Sequence, residues 1–238
     1  MLTNNEIKLI NSLQKKKERI KNGLFIVEGV KMVKELLQSN YEIACIYATQ
    51  EFESTDDKIE IISDQQLSKI SQFTTPNQVL ALAKIPTSTK IDANSTSLIL
   101  DGINDPGNLG TIIRTADWFG INQIICSNGS TDCFSPKTVS ATMGSIFRTS
   151  VYYTDIEEFI KQSNLPSFGA FLEGTPLNES QFTPNCNLIF GSESHGISDS
   201  LKSKIEHHVT ILGAGTAESL NLSIAVGIFC NNYYQSSK

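Results

Sequence analysis

The stretch LILDGINDPGNLGTIIRTADWFGI, residues 98–121, decides how the second half of the chain is expected to fold. An apolar run leads into a loop of Asp, Asn, Pro and Gly, and apolar residues at helical spacing follow. This order predicts a strand over 97–101, a helix over 109–119 and a loop between them. Ligands of open α/β sheets bind beyond the carboxyl ends of strands. Residues 101–110 are therefore a candidate ligand loop, and Arg114 lies in the helix that follows.

Strands and helices are expected to alternate on both sides of this stretch. Ahead of it, the patterns predict a helix over 4–20, strands over 24–29, 43–48 and 78–85, and helices over 30–38 and 64–72. After it, they predict strands over 123–126, 146–153, 168–173, 188–191 and 208–212, and helices from Ser135, over 155–162 and over 220–234. Such alternation is typical of α/β folds.

A composition change divides the chain. The segment PTSTKIDANSTS, residues 86–97, nearly lacks large apolar side chains and is rich in Ser and Thr, which predicts a linker. We therefore expect a smaller amino-terminal α/β domain over 1–85 and a second domain over 98–238. With 238 residues, 39% of them hydrophobic, the chain is long enough for each domain to bury a core.

Cysteine usage and apolar runs restrict where the protein works. No apolar run approaches the roughly 18 to 20 residues of a membrane span, and the amino terminus lacks the pattern of a secretory signal. The five cysteines are scattered, and none are spaced as CxxC. These features favour a cytoplasmic protein with reduced cysteines, and they predict neither a membrane anchor nor a metal site.

The charge is unevenly distributed. The whole chain has a net charge of −6, yet residues 1–34 contain eight Lys or Arg and three Glu. The positive charge is concentrated in one short segment, at Lys15, Lys16, Lys17, Arg19 and Lys21. A basic patch on an acidic protein is typical of a site that binds a polyanion at one end. A solvated helix face explains the charge equally well.

Three segments share one pattern, an apolar strand followed by a short loop of small and polar residues. They are DGINDPGNLG (101–110), GSESHGIS (191–198) and GAGTAESLNLS (213–223). One such loop is weak evidence, since Asn108 could simply cap the helix that begins at residue 109. Three of them, each with Asn, Glu or Ser, predict one composite pocket.

Other chemistries fit these loops less well. Neither a GxxxxGK[ST] loop nor an early GxGxxG is present. The segment around Ser194 and His195 offers a hydrolase alternative, but Glu193 stands where a GxSxG elbow has its nucleophile. The pair His207-His208 lacks a suitably spaced third ligand, so no metal is assigned.

Arg114 is one of three arginines in the chain. A salt bridge to Asp117, one turn further on, would give it a purely structural role. Helical side chains lean toward the amino end, however, so its guanidinium can also reach back toward the ligand loop. Both interpretations are open from the residues alone.

The three loops together resemble the three motifs of the SpoU, or TrmH, family of RNA ribose 2′-O-methyltransferases, within the SPOUT superfamily. DPGNLGTIIRTADWFG matches the first motif, LIFGSESHGIS the second and ESLNLSIAVGIF the third. Matched positions include Asn108, Arg114, Gly191, Glu193, Gly196, Ser219, Leu220, Asn221 and Ser223. LFIVEGVKMVKELLQS and TTPNQVLALA resemble the family's amino-terminal RNA-binding domain, which is related to a ribosomal protein.

The resemblance implies a parallel-sheet α/β domain with a carboxyl-terminal trefoil knot, working as a homodimer. It implies S-adenosylmethionine as cofactor, bound by the residues that match the family's knot loops, Gly191, Ile211 and Leu220. It assigns catalysis to Arg114, with Asn108, Glu193, Ser219 and Asn221 around it. With RNA as the substrate, the basic segment is expected to bind RNA phosphates. Ribosomal RNA is favoured as substrate, because two-domain members with this module often act on ribosomes.

One departure from the family pattern leaves alternatives open. The family usually has Ile-Pro-Met before the third motif, and Ile211-Leu212-Gly213 stands there. A transfer RNA methyltransferase, or an RNA-binding paralogue of the knot fold without turnover, therefore stays possible beside the leading interpretation.

Overall fold

The computed structural model describes residues 2–50, 52, 58–87 and 90–236. The chain forms two compact units. The first is Met1–Thr89 with Asp132–Arg148, and the second is Lys90–Thr131 with Thr149–Lys238. Residues 88 and 89 of the predicted linker lie outside the described residues. Asp132–Arg148 belongs by its packing to the first unit, although it follows the linker in sequence.

The first unit contains a four-stranded sheet in the order β1-β4-β2-β3. Its strands are β1 (Leu24–Glu28), β2 (Ile43–Ala48), β3 (Ile59–Ile61) and β4 (Val79–Lys84). β4 pairs antiparallel with both β1 and β2, and β3 pairs parallel with β2. The three longer strands confirm the sequence prediction. The three-residue strand β3 was not predicted, because so short an edge strand leaves no period-2 pattern to recognise.

The helices of the first unit are α1 (Asn4–Ser12), α2 (Lys16–Asn22), α3 (Val30–Leu37), α4 (Asp64–Leu67) and α6 (Pro136–Thr142). The prediction of one helix over 4–20 was wrong, because Lys15 has extended backbone angles of φ −91° and ψ 129°. Ile20, which one continuous helix would place on the apolar face, is 67% exposed. Side-chain spacing did not show this break, because the apolar positions continue across it.

Apolar residues cover both faces of the first sheet. On one face, Phe25 and Val27 of β1 pack with Val33 of α3 and Val139 of α6. The Phe25 and Phe134 ring centroids are 4.7 Å apart, so the segment 132–148 supplies part of this core. On the other face, the core is formed by residues of α1, β1 and β4, including Ile10, Leu13, Ile26, Leu80 and Leu82.

The second unit contains a six-stranded sheet in the order β10-β8-β9-β5-β6-β7, and every pairing in it is parallel. Its strands are β5 (Ser97–Asp101), β6 (Gln123–Ser127), β7 (Ser150–Thr154), β8 (Ser167–Pro176), β9 (Asn187–Gly191) and β10 (His207–Thr210). The predicted strand over 146–153 begins only at Ser150, because Ser145–Phe147 forms a 3-10 turn after a left-handed Met143 and Gly144.

The helices of the second unit are α5 (Pro106–Trp118), α7 (Ile156–Gln162), α8 (Asp199–Lys202) and α9 (Leu222–Ser236). The predicted helices over 109–119, 155–162 and 220–234 are present, and α5 begins earlier than expected. The four-residue helix α8 is too short to leave a helical pattern in the sequence. Among the described residues, no helix combines the length and the apolar character needed to cross a bilayer.

The strand order creates a switch point between β5 and β9. From β5, the chain continues through β6 to β7 on one side, while β9, β8 and β10 lie on the other side. In open parallel sheets, the crevice at such a point is where ligands bind, outside the carboxyl ends of the strands. The loops that follow β5 and β9 therefore open onto one crevice.

Candidate active site

The loop after β5 ends in a firmly capped helix. Asp105 is the residue before α5, and its carboxylate accepts a hydrogen bond from the Asn108 N–H at 2.8 Å. Pro106 occupies the first helical turn, where its missing N–H costs nothing. The alternative in which Asn108 itself only caps the helix was wrong, since α5 starts before it. The Asn108 side chain is consequently available for other partners.

The loop after β9 is closed by backbone hydrogen bonds. Ser192 and Gly196 pair as an isolated antiparallel bridge, with N–H to oxygen distances of 3.0 and 2.9 Å. A Cβ on Gly191 would lie 1.9 Å from the Gly196 carbonyl carbon, so only glycine fits where the loop returns to the strand. Glu193, Ser194 and His195 therefore lie on a short turn whose ends are held together by these hydrogen bonds.

One amide joins all three predicted loops. The Asn108 Nδ2 group donates to the Glu193 carboxylate. Its Oδ1 atom accepts from Asn221 Nδ2 at 3.2 Å. Asn221 is held in turn, because its Oδ1 accepts from the Ser223 N–H at 2.9 Å and from the Ser223 hydroxyl at 2.7 Å. The structure thus brings Asn108, Glu193 and Asn221 into one hydrogen-bonded cluster.

A second set of bonds ties the same strand ends together. The Asp101 carboxylate, at the end of β5, accepts from the Ser198 N–H at 2.9 Å. Gly102 has φ +83°, and its N–H donates to the Ser127 hydroxyl at 2.9 Å. Sequence reasoning missed Asp101, Ser127 and Ser198 as site residues. Asp101 and Ser198 lie within two of the predicted loops and Ser127 ends β6, but polar residues are common at such positions.

Arg114 is exposed on α5 and is not a member of the hydrogen-bonded cluster. It makes no hydrogen bond or ion pair with any residue that the structure describes, so the alternative salt bridge to Asp117 is not formed. Arg114 lies seven positions after Gly107, which places both on one face of α5. Its side chain leans toward the amino end of α5, and hence toward the loop after β5.

The loop after β10 is the least constrained part of the site. Within the described residues, none of 212–220 takes part in a hydrogen bond. The side chains of Leu212 and Leu220 are 70% and 48% exposed, and a Cβ on Gly213 would meet nothing within 4 Å. Ser219 is exposed and is not bonded to the Asn108 cluster, while Gly191 and Ile211 are half-buried.

The basic segment is split by the fold. Lys15, Lys16, Lys17 and Lys21 are exposed, whereas Arg19 is 2% exposed. Its Nε atom donates to Asp132 Oδ2 at 2.9 Å, and its Nη1 atom donates to the carbonyl oxygens of Leu13 and Gln14 at 2.7 and 2.8 Å. Including Arg19 among the RNA-binding residues was wrong, because its donors hold the turn between α1 and α2.

The hydrolase alternative lacks a complete catalytic set. Ser194 Oγ lies 2.7 Å from His195 Nδ1, and both residues are exposed. No described carboxylate holds the other ring nitrogen, so the orienting third member of a triad is missing. His207 stacks on Phe168 and His208 lies against Phe171, with centroids 4.5 and 4.1 Å apart. Within the described ranges, no three His, Cys, Asp or Glu side chains gather as metal ligands.

Residues 95–231 match the model of the SpoU rRNA methylase family, and this range includes every residue of the Asn108 cluster. The chain belongs to the SpoU rRNA methylase family. Residues 4–81 match a second family model, the MRM3-like substrate binding domain. Both matches confirm the family resemblance predicted from the three motifs and the amino-terminal segments.

Relatives match the chain over nearly its whole length. The chain is 30% identical to the 23S rRNA (guanosine(2553)-2'-O)-methyltransferase RlmP of Bacillus subtilis, covering 94% of both chains. An S-adenosylmethionine-bound rRNA methyltransferase of Sinorhizobium meliloti superposes with a TM-score of 0.86 at 30% identity, covering 99% of this chain and 96% of the other. A TrmH-family protein of Porphyromonas gingivalis gives 0.88 at 35% identity, covering 98% of both. These similarities confirm the predicted parallel α/β fold.

Proposed function

We propose that this SpoU-family protein transfers the methyl group of S-adenosylmethionine to a ribose 2′-hydroxyl of ribosomal RNA. The observation that carries the proposal is the Asn108 amide, which is hydrogen-bonded to Glu193 on one side and Asn221 on the other. It joins the loops that follow β5, β9 and β10 at one crevice. The 23S rRNA specificity of the RlmP relative supports ribosomal RNA as the substrate class.

The loop over 211–221 suits the cofactor. Adenosine binding needs peptide donors and acceptors that are not already used, together with apolar side chains on either side. The peptide groups of residues 212–220 form no hydrogen bond within the described part of the chain, and the side chains of Leu212 and Leu220 in this segment are exposed. Leu212, where the family usually has proline, adds one N–H donor. Gly191, Ile211 and Leu220 would hold the cofactor, whose sulfonium supplies the methyl group.

Arg114 would act on the RNA. Arginine stays protonated at every physiological pH, so it is unsuited to removing a proton. Its planar fork of donors matches a phosphate, and its charge stabilises negative charge that develops on the ribose oxygen. Arg114 is exposed and forms no hydrogen bond or ion pair with the described residues, so binding a phosphate would break no contact within the protein. We therefore assign it to the target nucleotide.

The Asn108 cluster would fix the geometry of transfer. Methyl transfer is an in-line displacement, and correct positioning of the two reactants supplies a large part of the rate. Asn108 sets the separation of Glu193 and Asn221, and Asn221 in turn sets the start of α9 through Ser223. Ser219 would join this arrangement once the loop after β10 closes on the cofactor.

RNA would be held by the first unit as well. Lys15, Lys16, Lys17 and Lys21 are exposed on or beside α2, and the substrate-binding family model covers all four. Phosphate contacts from such lysines give an affinity that depends on salt. We also propose that residues 86–97 link the two domains and that the carboxyl-terminal part of the chain forms a trefoil knot.

A second copy of the chain would complete the assembly. Trp118 of α5 is 83% exposed, and the α9 residues Ile224, Ile228 and Tyr234 are exposed as well. Phe119 and Tyr234 rings, 5.9 Å apart, show that the two helices are neighbours. Exposed apolar surface of this kind is typical of subunit interfaces. Because ribosomal RNA is the proposed substrate and all five cysteines are free, we place the homodimer in the cytoplasm.

Calorimetry and methylation mapping test the proposal. We expect the protein to bind S-adenosylmethionine and to add one 2′-O-methyl group to unmodified ribosomal RNA, located by mass spectrometry. Asn108→Ala should lose both the cluster and the methylation, whereas Asn40→Ala, on the exposed surface of the first unit, should retain it. Cofactor binding without methylation of any RNA would instead indicate a non-catalytic paralogue, and methylation confined to transfer RNA would change the substrate class.

A further inference from the structure

The proposed reaction releases a proton that none of the assigned residues is suited to accept. Arg114 is permanently protonated, and the amides of Asn108 and Asn221 do not take up protons. The Glu193 carboxylate is engaged by the Asn108 amide. A ribose hydroxyl is a weak nucleophile until its proton leaves, so a nearby acceptor would raise the rate.

His195 stands on the braced turn after β9, two positions beyond Glu193. Its backbone N–H donates to the Ser192 hydroxyl at 3.2 Å, inside the bridge between Ser192 and Gly196. The turn is anchored by Ile197, which is buried in the core below the sheet edge. The imidazole is therefore exposed on a turn whose backbone is fixed, in the same loop as Glu193 of the Asn108 cluster.

The two ring nitrogens of His195 have different surroundings. Nδ1 lies 2.7 Å from the Ser194 hydroxyl oxygen. Nε2 has no partner among the residues that the structure describes. If Nδ1–H donates to Ser194, Nε2 carries an unused lone pair. We propose that His195 Nε2 accepts the proton of the ribose 2′-hydroxyl during methyl transfer, an inference that rests on the proposed function.

The step balances without a further reactant. The O–H bond of the ribose breaks, and its proton passes to His195 Nε2. The ribose oxygen bonds to the methyl carbon while the bond from that carbon to sulfur breaks, and its electron pair stays on sulfur. The imidazolium then releases the proton to water. Arg114 stabilises charge on the oxygen, so the two residues have separate roles.

The charged groups around the turn are Glu193 within it, Asp101 at the end of β5, Asp199 at the start of α8 and Arg114 on α5. Among Asp, Glu, Arg and His, histidine alone ordinarily changes charge between about pH 5 and 8. A rate change in that window therefore reports on the imidazole.

Single-turnover methylation from pH 5.5 to 8.5 tests the role. We expect the wild-type rate to rise through the histidine range and then level off. His195→Gln should be about 10²-fold slower, in line with the loss of a general base, and should lack that rise. His207→Gln, an exposed histidine on β10, is the matched control and should behave as wild type. Ser194→Ala, which removes the Nδ1 partner, should show an intermediate rate.

Proton NMR of the imidazoles gives a readout that needs no turnover. The chain has three histidines, so the His195 signal is identified by its absence in His195→Gln. Adding the RNA fragment methylated by the wild type, with S-adenosylhomocysteine, should shift the His195 signal and leave His207 and His208 unchanged. A 2′-deoxy nucleotide at the target should reduce that shift, because the hydroxyl is the proposed partner.

Each outcome decides the proposal. An unchanged rate and pH profile in both His195→Gln and His195→Ala would overturn it, while wild-type methylation would leave the proposed function standing. An NMR signal indifferent to RNA and to the 2′-hydroxyl would overturn it equally. Absence of methylation by the wild-type protein would remove both proposals. Melting curves of the variants establish that a lost rate is not lost folding.

Discussion

Charged side chains have opposite environments in the two units. In the first unit, Arg19 and Glu28 are 2% and 6% exposed, and protein groups occupy their polar atoms. In the second, Arg114 on α5 and Glu193 in the loop after β9 are exposed. Burying a charge is costly unless it is fully paired. Arg19 and Glu28 therefore hold chain segments in place, whereas Arg114, which has no bonded partner among the described residues, is available to a substrate.

This contrast separates stability from activity. Removing a buried, bonded charge should destabilise the fold, because its partners stay behind in a site with little water. Removing an exposed, unbonded charge should leave the fold intact and affect only what binds there. The two arginines allow a direct comparison, because each is a single side chain on a helix of its own unit.

The largest effect is expected for Arg114→Ala. Loss of a donor that stabilises developing charge typically lowers the rate by about 10²- to 10³-fold. Because Arg114 has no bonded partner among the described residues, cofactor affinity and melting temperature should stay near wild type. Single-turnover methylation, calorimetry with S-adenosylmethionine and a melting curve measure the three quantities.

Arg148→Ala is the matched control for this variant. Arg148 is the third arginine, its side chain is 48% exposed, and it forms a 2.6 Å ion pair with Glu35 in the first unit. It should methylate at the wild-type rate. Turnover within about twofold of wild type in Arg114→Ala would remove that residue from the mechanism.

Arg19→Ala should give the largest loss of stability. The Arg19 to Asp132 pair has Nη2 to Oδ2 at 2.5 Å, and the two side chains are 3% and 14% exposed. Breaking such a pair from one side costs about 3–5 kcal/mol in free energy of unfolding. Denaturant unfolding measures it, and Arg148→Ala, an exposed pair, should cost at most about 1 kcal/mol. An Arg19→Ala protein as stable as the control would mean that the pair contributes little.

The sequence could not distinguish these two arginines. Asp132 lies 113 residues away from Arg19, in a segment that the predicted domain boundary assigned to the other domain. Its pairing depends on where that segment packs, and no local spacing encodes this. Arg114 was singled out because the residues around it follow the first family motif, and its catalytic role stays a prediction. A motif fixes position along the chain, but burial is a property of the folded chain.

The parallel sheet was easier to predict than the details of its loops. Strands β5, β6 and β9 appear in the sequence as apolar runs, because they are buried on both faces. A helix cap was the ordinary alternative for Asn108, which instead lies inside α5, since Asp105 and Pro106 start the helix first. The family motifs grouped Asn108 with Glu193 and Asn221, but no local pattern encodes their hydrogen bonds, because Asn108 is 85 and 113 residues away from these two partners.

Glu28→Gln should alter how stability depends on pH. Burial raises the pKa of the Glu28 carboxyl above its ordinary value of 4.5, although hydrogen bonds from Ser71 and Gln72 oppose the change. The folded protein therefore keeps this proton at pH values where the unfolded chain has lost it. The free energy of unfolding should fall as the pH rises from about 4.5 through the raised pKa. In Glu28→Gln, this decrease in the free energy of unfolding with rising pH should be absent.

Denaturant unfolding from pH 4 to 8 measures the effect, with Glu42→Gln as control. Glu42 is an exposed residue that forms a 2.6 Å ion pair with Lys84, so its replacement should preserve the wild-type dependence on pH. A constant difference between wild type and Glu28→Gln at every pH would contradict the burial of an ionisable carboxyl at this position.

The smallest effect is expected for the lysines Lys15, Lys16 and Lys17 of the first unit. Their side chains are exposed, like that of Arg114 and unlike that of Arg19. Replacing Lys15, Lys16 and Lys17 with Gln should weaken RNA binding at low salt without changing the cofactor affinity. Each phosphate contact contributes about 0.7–0.9 to the slope of log affinity against log salt, so three lost contacts should lower its magnitude by about 2–3. A variant with Lys84, Lys161 and Lys202 replaced has the same net charge and should keep the wild-type slope. If both variants changed the slope equally, the overall positive charge of the protein, and not this segment, would bind the RNA. The exposed lysines of the first unit would then have no specific role comparable to that of Arg114.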